Sequence, residues 1–129
     1  MKKQTKFIVF IVLVILLIGG VGVYASVNQG PGQYDSFAQC ISKTGAKFYG
    51  TFWCPHCNNQ KKMFGSSKKY LPYVECSTKD GRSQLPVCKD AGIEGYPTWI
   101  FADGSKLEGE VPLETLSLKT SCSLLQPAE

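Results

Sequence analysis

Six cysteines in a chain of 129 residues constrain this fold more than any other feature, and they stand at Cys40, Cys54, Cys57, Cys76, Cys88 and Cys122. A chain this short has room for one small core. An even cysteine count adds disulfide staples where the compartment is oxidising, and suits zinc or redox chemistry where it is not. The amino-terminal segment bears on which compartment that is.

After Met1-Lys2-Lys3-Gln4-Thr5-Lys6 the sequence runs from Phe7 to Ala25 without a charge. As a helix at ~1.5 Å per residue that run is roughly 28 Å long, about one bilayer core. Residues 1–6 are expected as a basic cytoplasmic tail and residues 7–25 as a single transmembrane anchor, which leaves the rest of the chain on the outer side by the positive-inside rule. The alternative is a cleaved signal peptide, with the apolar run Phe7 to Ile18, then Gly19-Gly20, then Val23-Tyr24-Ala25 as a small-residue cleavage site. That would leave a secreted or periplasmic domain. Both readings export the remaining chain and so permit disulfides.

Residues 26–33, SVNQGPGQ, read as a linker, residues 34–123 as the folded domain and residues 124–129 as a short tail. The formal charge of +4 owes three of its lysines to the first six residues. Residues 25–129 carry eleven basic and ten acidic side chains, with no basic block, so nucleic acid is not expected as a partner. An apolar content of 43% excludes a disordered chain.

Within the domain, Tyr34 to Lys43 spaces Phe37, Cys40 and Ile41 as one apolar face of a short helix. Ala46 to Trp53 is aromatic and reads as a buried strand. A helix is expected from Pro55 to about Phe64, closed by Gly65-Ser66-Ser67, then a strand over Pro72 to Cys76 and a helix over Gln84 to Ala91. Thr98 to Phe101 and Lys106 to Gly109 read as strands joined by an Asp103-Gly104 hairpin, and Pro112 to Ser121 as a final helix. Alternating helices and strands closed by a hairpin imply an α/β fold with a mixed four-stranded sheet flanked by helices.

Cys54-Pro55-His56-Cys57 falls where the first strand meets a helix start. Proline suits the first helical turn, where its missing N–H costs nothing, so Cys54 is expected at the N-cap. Its sulfur then faces free N–H groups and the positive end of the helix, which favours thiolate over thiol. His56 offers a neighbouring cation, and Cys57 lies one turn on along the same face. A nucleophilic thiolate, Cys54, with a resolving thiol, Cys57, is the minimal apparatus for exchange through a mixed disulfide. A structural disulfide, or half of a zinc site completed by Cys76 and Cys88, is the competing reading, although the spacing of those two does not repeat the first pair.

From about Phe37 to Cys122 the sequence resembles thioredoxin-fold thiol-disulfide oxidoreductases, through WCPHC after a strand and Gly95-Tyr96-Pro97-Thr98 before a later one. The resemblance implies that Pro97 is a cis-proline facing the active cysteines, with Tyr96 and Trp53 beside it where extended peptide binds. Cys-Pro-His-Cys is the choice of DsbA-type oxidases, whose stabilised reduced form makes the disulfide a strong oxidant. Within the fold the chain is most similar to the thioredoxin-like domain associated with bacterial vitamin K epoxide reductase homologues. The shared stretches are Tyr49 to Cys57, Pro72 to Cys76, Cys88, Ala91 to Ile93 and Tyr96 to Ile100.

Those relatives imply exported cysteine-containing proteins as substrates and a separate membrane partner of the vitamin K epoxide reductase type that recycles Cys54 and Cys57, with no cofactor or metal in this domain. Thioredoxins carry a buried acid six residues before the first active cysteine, whereas this chain has Phe48 there. Placed in the implied fold, Cys76 and Cys88 form one structural disulfide and Cys40 and Cys122 another, with an electron-relay role as the alternative for Cys76 and Cys88. Spacing alone does not select among the pairings that six cysteines permit. The expected function is oxidation of exported thiols. The alternatives are a reductase or isomerase of the same fold, or a non-catalytic zinc or scaffold module.

Overall fold

The structure is a computed structural model and describes residues 2–27 and 31–124. The chain divides into two compact units, Met1–Gly30 and Pro31–Glu129. In the first, Lys2–Val27 (α1) is helical, and its apolar side chains from Phe7 to Ile18 are exposed. Among the described residues no helix is long and apolar enough to cross a membrane, so the expected transmembrane helix is not shown. Residue 1 of the expected basic tail, residues 28–30 of the expected linker and residues 125–129 of the expected carboxy-terminal tail lie outside the described residues.

The second unit begins with Asp35–Lys43 (α2), which buries Phe37, Ala38 and Ile41 on one face. Lys47–Gly50 (β1) comes next, then Pro55–Met63 (α3), a 3-10 helix over Gly65–Tyr70, and Tyr73–Glu75 (β2). Pro86–Asp90 (α4), Thr98–Ile100 (β3), Lys106–Glu108 (β4) and Leu113–Thr120 (α5) complete it. The sheet has the order β2-β1-β3-β4: β1 runs parallel to β2, while β3 is antiparallel to both β1 and β4. This mixed four-stranded sheet with its helices fits an α/β thioredoxin-like fold.

Three boundaries differ from the sequence reading, each for a local reason. The strand expected over residues 46–53 pairs only at Lys47–Gly50, because the Cys54 N–H turns back to the Thr51 carbonyl at 3.2 Å and pulls the chain off the sheet. The helix expected over residues 84–91 begins at Pro86, since Gln84 is engaged in an antiparallel bridge with Ser77. Gly65–Tyr70, expected only as a helix stop, winds into a 3-10 helix with Ser67 buried.

Because successive strand residues point to opposite faces, Phe48 and Tyr49 seed two apolar clusters. Phe48 joins Phe37, Ile41, Cys57, Phe64, Trp99 and Leu116 in the larger one, and Tyr49 joins Cys76, Cys88 and Ile93 in the smaller. Phe48 stacks on Trp99 with ring centroids 4.8 Å apart and meets Tyr73 edge-on at 5.3 Å.

Two disulfides close the unit. Cys40 on α2 is bonded to Cys122 just past α5, with Cα atoms 5.8 Å apart, and Cys76 just past β2 is bonded to Cys88 on α4, with Cα atoms 5.6 Å apart. The thiols of Cys54 and Cys57 are not bonded to each other or to another cysteine.

Candidate active site

The site is assembled at the point where the chain leaves β1. Gly50 ends the strand, Thr51 to Trp53 turn outward, and Cys54 caps α3 with φ −76° and ψ 118°, followed by Pro55 in the first turn. The cap residue is extended while the residues after it are helical, so the Cys57 N–H donates to the Cys54 sulfur at 3.3 Å. Cys54 is 5% exposed and Cys57 is fully buried beneath it. Burial, then the hydrogen bond with Cys54, pushes the Cys57 thiol up to about 12. The two sulfurs therefore differ in access, with Cys54 at the rim and Cys57 inside.

The Tyr96–Pro97 peptide bond is cis. It brings the Tyr96 carbonyl to 3.7 Å from the Cys54 sulfur, whose thiol donates to it. Pro97 itself is buried, and its carbonyl accepts the Gly109 N–H at 2.8 Å. Trp53 is 52% exposed and stands edge-on to Tyr96 with ring centroids 6.3 Å apart, its indole N–H held by Ser77 Oγ at 3.0 Å. Tyr96 is pinned in turn by the Gln84 side-chain amide, which donates to its hydroxyl at 2.8 Å. The structure thus gathers Trp53, Cys54 and Tyr96 at one edge of the domain, with Cys57 and Pro97 buried beneath them.

His56 is placed differently from a simple neighbour of the sulfur. Its side chain is 68% exposed and its Nδ1 lies 2.7 Å from Glu110 Oε1, an ion pair when the imidazole is protonated. The Asn59 amide donates to the same oxygen at 3.1 Å, and these two contacts hold the Glu110 carboxyl below the usual carboxylate range. Cys76 and Cys88 lie in the smaller cluster, apart from the cluster that contains Cys54 and Cys57.

No family model matches the chain. The thiol-disulfide oxidoreductase LTO1 of Arabidopsis thaliana is 47% identical to it over 98 residues, which is 73% of this chain and 26% of that protein. The thioredoxin domain-containing protein 5 homolog of Drosophila melanogaster is 35% identical over 80 residues, 57% of this chain and 19% of that protein. Together these support a thioredoxin-like oxidoreductase. The chain spans about a quarter and a fifth of the lengths of these relatives.

Several residues that shape the site carry no weight in a sequence reading. Glu110 comes after a glycine in a loop, far along the chain from His56, and no local pattern announces it. Gln60 is fully buried on α3, where its amide donates to the Val111 carbonyl at 3.0 Å and its oxygen accepts the Val111 N–H at 2.7 Å. That clamp fixes the Glu110 loop against the redox helix.

Gly50 had a usable signal, because a glycine inside an aromatic strand marks a close backbone approach. A β-carbon there would stand 2.9 Å from the Cys57 sulfur and 3.0 Å from Tyr73 Cε2. Gly50→Ala is expected to displace Cys57, to destabilise the domain by about 1–3 kcal/mol through overpacking, and to slow closure of the Cys54–Cys57 bond. Chemical denaturation and rapid-mixing oxidation kinetics measure the two effects.

Proposed function

We propose that the domain is a thiol-disulfide oxidoreductase that oxidises exported proteins, with Cys54 as the attacked and attacking sulfur and Cys57 as the resolving one. The observation that carries this reading is the Cys54 sulfur at the rim of the domain, capping α3 and accepting the Cys57 N–H at 3.3 Å, above a buried partner thiol. In the oxidising direction a substrate thiolate attacks Cys54 in the Cys54–Cys57 disulfide. That bond breaks, and Cys57 leaves as a thiolate and takes up a proton. A second substrate thiolate then attacks the substrate sulfur of the mixed disulfide and expels Cys54. Two electrons pass from the substrate dithiol to the cysteine pair.

Trp53, Tyr96 and Pro97 serve this reading as the rim on which an extended peptide lies, with an aromatic face at one end. His56 belongs to the same surface, held by Glu110. The direction is favoured by the Cys-Pro-His-Cys sequence and by Phe48, which stacks on Trp99 at the position where thioredoxins keep an acid.

Two disulfides suit an oxidising compartment and so support a place outside the cytoplasm, reached through the basic and apolar amino-terminal segment as anchor or signal. A separate membrane partner of the vitamin K epoxide reductase type reoxidises the pair in this scheme, on the strength of the sequence resemblance alone. The zinc module is disfavoured by a positive observation: Cys76 and Cys88 are bonded to each other and so do not complete a site with Cys54 and Cys57.

Equilibration of the purified protein with glutathione buffers tests the direction. A reduction potential nearer to about −120 mV, as in DsbA, is the expected result, and one near about −270 mV, as in thioredoxin, overturns the oxidase assignment in favour of a reductase.

A further inference from the structure

Cys57 must give up its proton and regain it once in every cycle, although its side chain is fully buried in the reduced structure. The residue six positions before Cys54 supplies no ionisable group, since Phe48 is an aromatic ring packed between Trp99 and Tyr73. A group of polar side chains lies on the elements beside the buried sulfur instead. Lys61 lies four residues after Cys57 on α3, which puts both on one face of the helix. On the sheet, Gly50 pairs in register with Glu75, and the point a Gly50 β-carbon would occupy is flanked by the Cys57 sulfur and the Tyr73 ring. Tyr73 and Glu75 share a face of β2, so both look towards α3.

The contacts tie these groups together. Lys61 Nζ sits 3.4 Å from the centroid of the Tyr73 ring. The Tyr73 hydroxyl donates to Glu75 Oε2 at 2.8 Å, while Glu75 Oε1 accepts the N–H groups of Ser77 at 2.9 Å and Phe52 at 3.3 Å. With three donors already on its oxygens, Glu75 is fixed in place to counter a cation.

We propose that Lys61 is a positioning residue for the exchange reaction: its half-buried ammonium, held over Tyr73 and countered by Glu75, stabilises the Cys57 thiolate whenever that thiolate forms. The inference rests on the exchange reading above and deepens it. When Cys57 closes on Cys54 in a mixed disulfide, its proton passes to solvent water, the Cys57–Cys54 bond forms, and the substrate sulfur leaves as a thiolate that is protonated from water. In the opposite direction Cys57 is the leaving group. Lys61 acts on the same charged sulfur in both.

The charged and titratable groups around Cys57 act with different signs. Burial, and then the neighbouring Cys54, disfavour the Cys57 thiolate, while the Thr51 backbone and, after it, the Lys61 charge favour it. Burial lowers Lys61 itself, Lys68 on the 3-10 helix adds to that, and Glu75, Cys57 and Cys54 oppose it. Tyr73 is raised well above its ordinary range by burial and by Glu75, so at neutral pH it is a phenol and competes for no cation.

The test is stopped-flow reaction of the reduced protein with a bis(nitrobenzoate) disulfide, whose released aryl thiolate absorbs visible light. Attack by Cys54 releases the first equivalent and closure by Cys57 the second. Lys61→Met is expected to leave the first phase unchanged, to slow the second about tenfold at pH 7, and to shift the rise of its rate with pH upward. Lys61→Arg restores most of the rate. A folded Lys61→Met protein with a second phase of unchanged rate and pH profile overturns the role of Lys61, and Lys61→Gln is read in the same way if the methionine variant does not fold. A wild-type protein that releases no second equivalent overturns the exchange reading itself.

Discussion

Replacing Cys40 and Cys122 together by alanine lowers the stability of the domain by about 4 kcal/mol. The bond joins residues 82 apart in sequence, so its loss frees a long loop in the unfolded chain, and loop-closure entropy sets the size of the effect. A domain of this size has roughly 5–15 kcal/mol in total, so much of the margin goes. Loss of the Cys76–Cys88 bond, which spans 12 residues, is expected to cost less, about 3 kcal/mol. Urea denaturation of the two double variants under identical conditions checks both the magnitudes and their order. A change below about 1 kcal/mol for Cys40 and Cys122 would show that the bond constrains little. Cys122 lies just past α5 and Cys40 on α2, and neither takes part in the exchange step, so exchange is expected to survive in the fraction that remains folded.

Cys54→Ala is expected to reduce disulfide exchange to the uncatalysed background, whereas Cys57→Ala retains the first attack and stalls at the mixed disulfide. The difference arises from access and protonation. Cys54 keeps slight exposure at the helix start, while Cys57 is fully buried with its thiol pushed up to about 12, so its thiolate is scarce at pH 7. Iodoacetamide applied to the reduced wild-type protein at pH 7 should accordingly label Cys54 and spare Cys57. Labelling of Cys57 becomes appreciable only as the pH rises towards its titration. Mass mapping of the labelled peptide reads both, and equal labelling of the two residues at pH 7 would contradict the asymmetry on which the mechanism depends.

Much of this architecture was legible because local patterns and tertiary placement agree. The apolar spacing of Phe37 and Ile41, the Asp103-Gly104 turn and the proline after Cys54 each fix an element by rules that act over a few residues, and each element is present. The extent of β1 was not legible. Phe52 and Trp53 have strand-forming side chains, yet each is 52% exposed, because the Cys54 N–H bond to Thr51 turns the chain towards the site.

The amino-terminal helix shows the opposite limit: the uncharged run from Phe7 to Ala25 suggests a span, yet among the described residues no helix is long and apolar enough to cross a membrane. The supporting residues of the site were hidden for another reason. Gln60 with Val111, and His56 with Glu110, meet across more than fifty residues of sequence, and the Lys61, Tyr73 and Glu75 group is made by packing a helix on a strand edge. Nothing in the spacing of such residues announces the contact, while the Cys54 to Cys57 pair announces itself because helix geometry alone brings its members together.

The central claim is that Cys54 is the sulfur that meets other proteins. It is tested most directly by incubating the full chain carrying Cys57→Ala with a reduced, cysteine-containing exported protein under mild oxidation, followed by acid quenching and mass mapping of the adducts. The expected result is one substrate chain per protein, joined through Cys54, released by dithiothreitol and abolished by the further change Cys54→Ala. Adducts joined through Cys40, Cys76, Cys88 or Cys122, or no adduct while the protein remains folded, would contradict it.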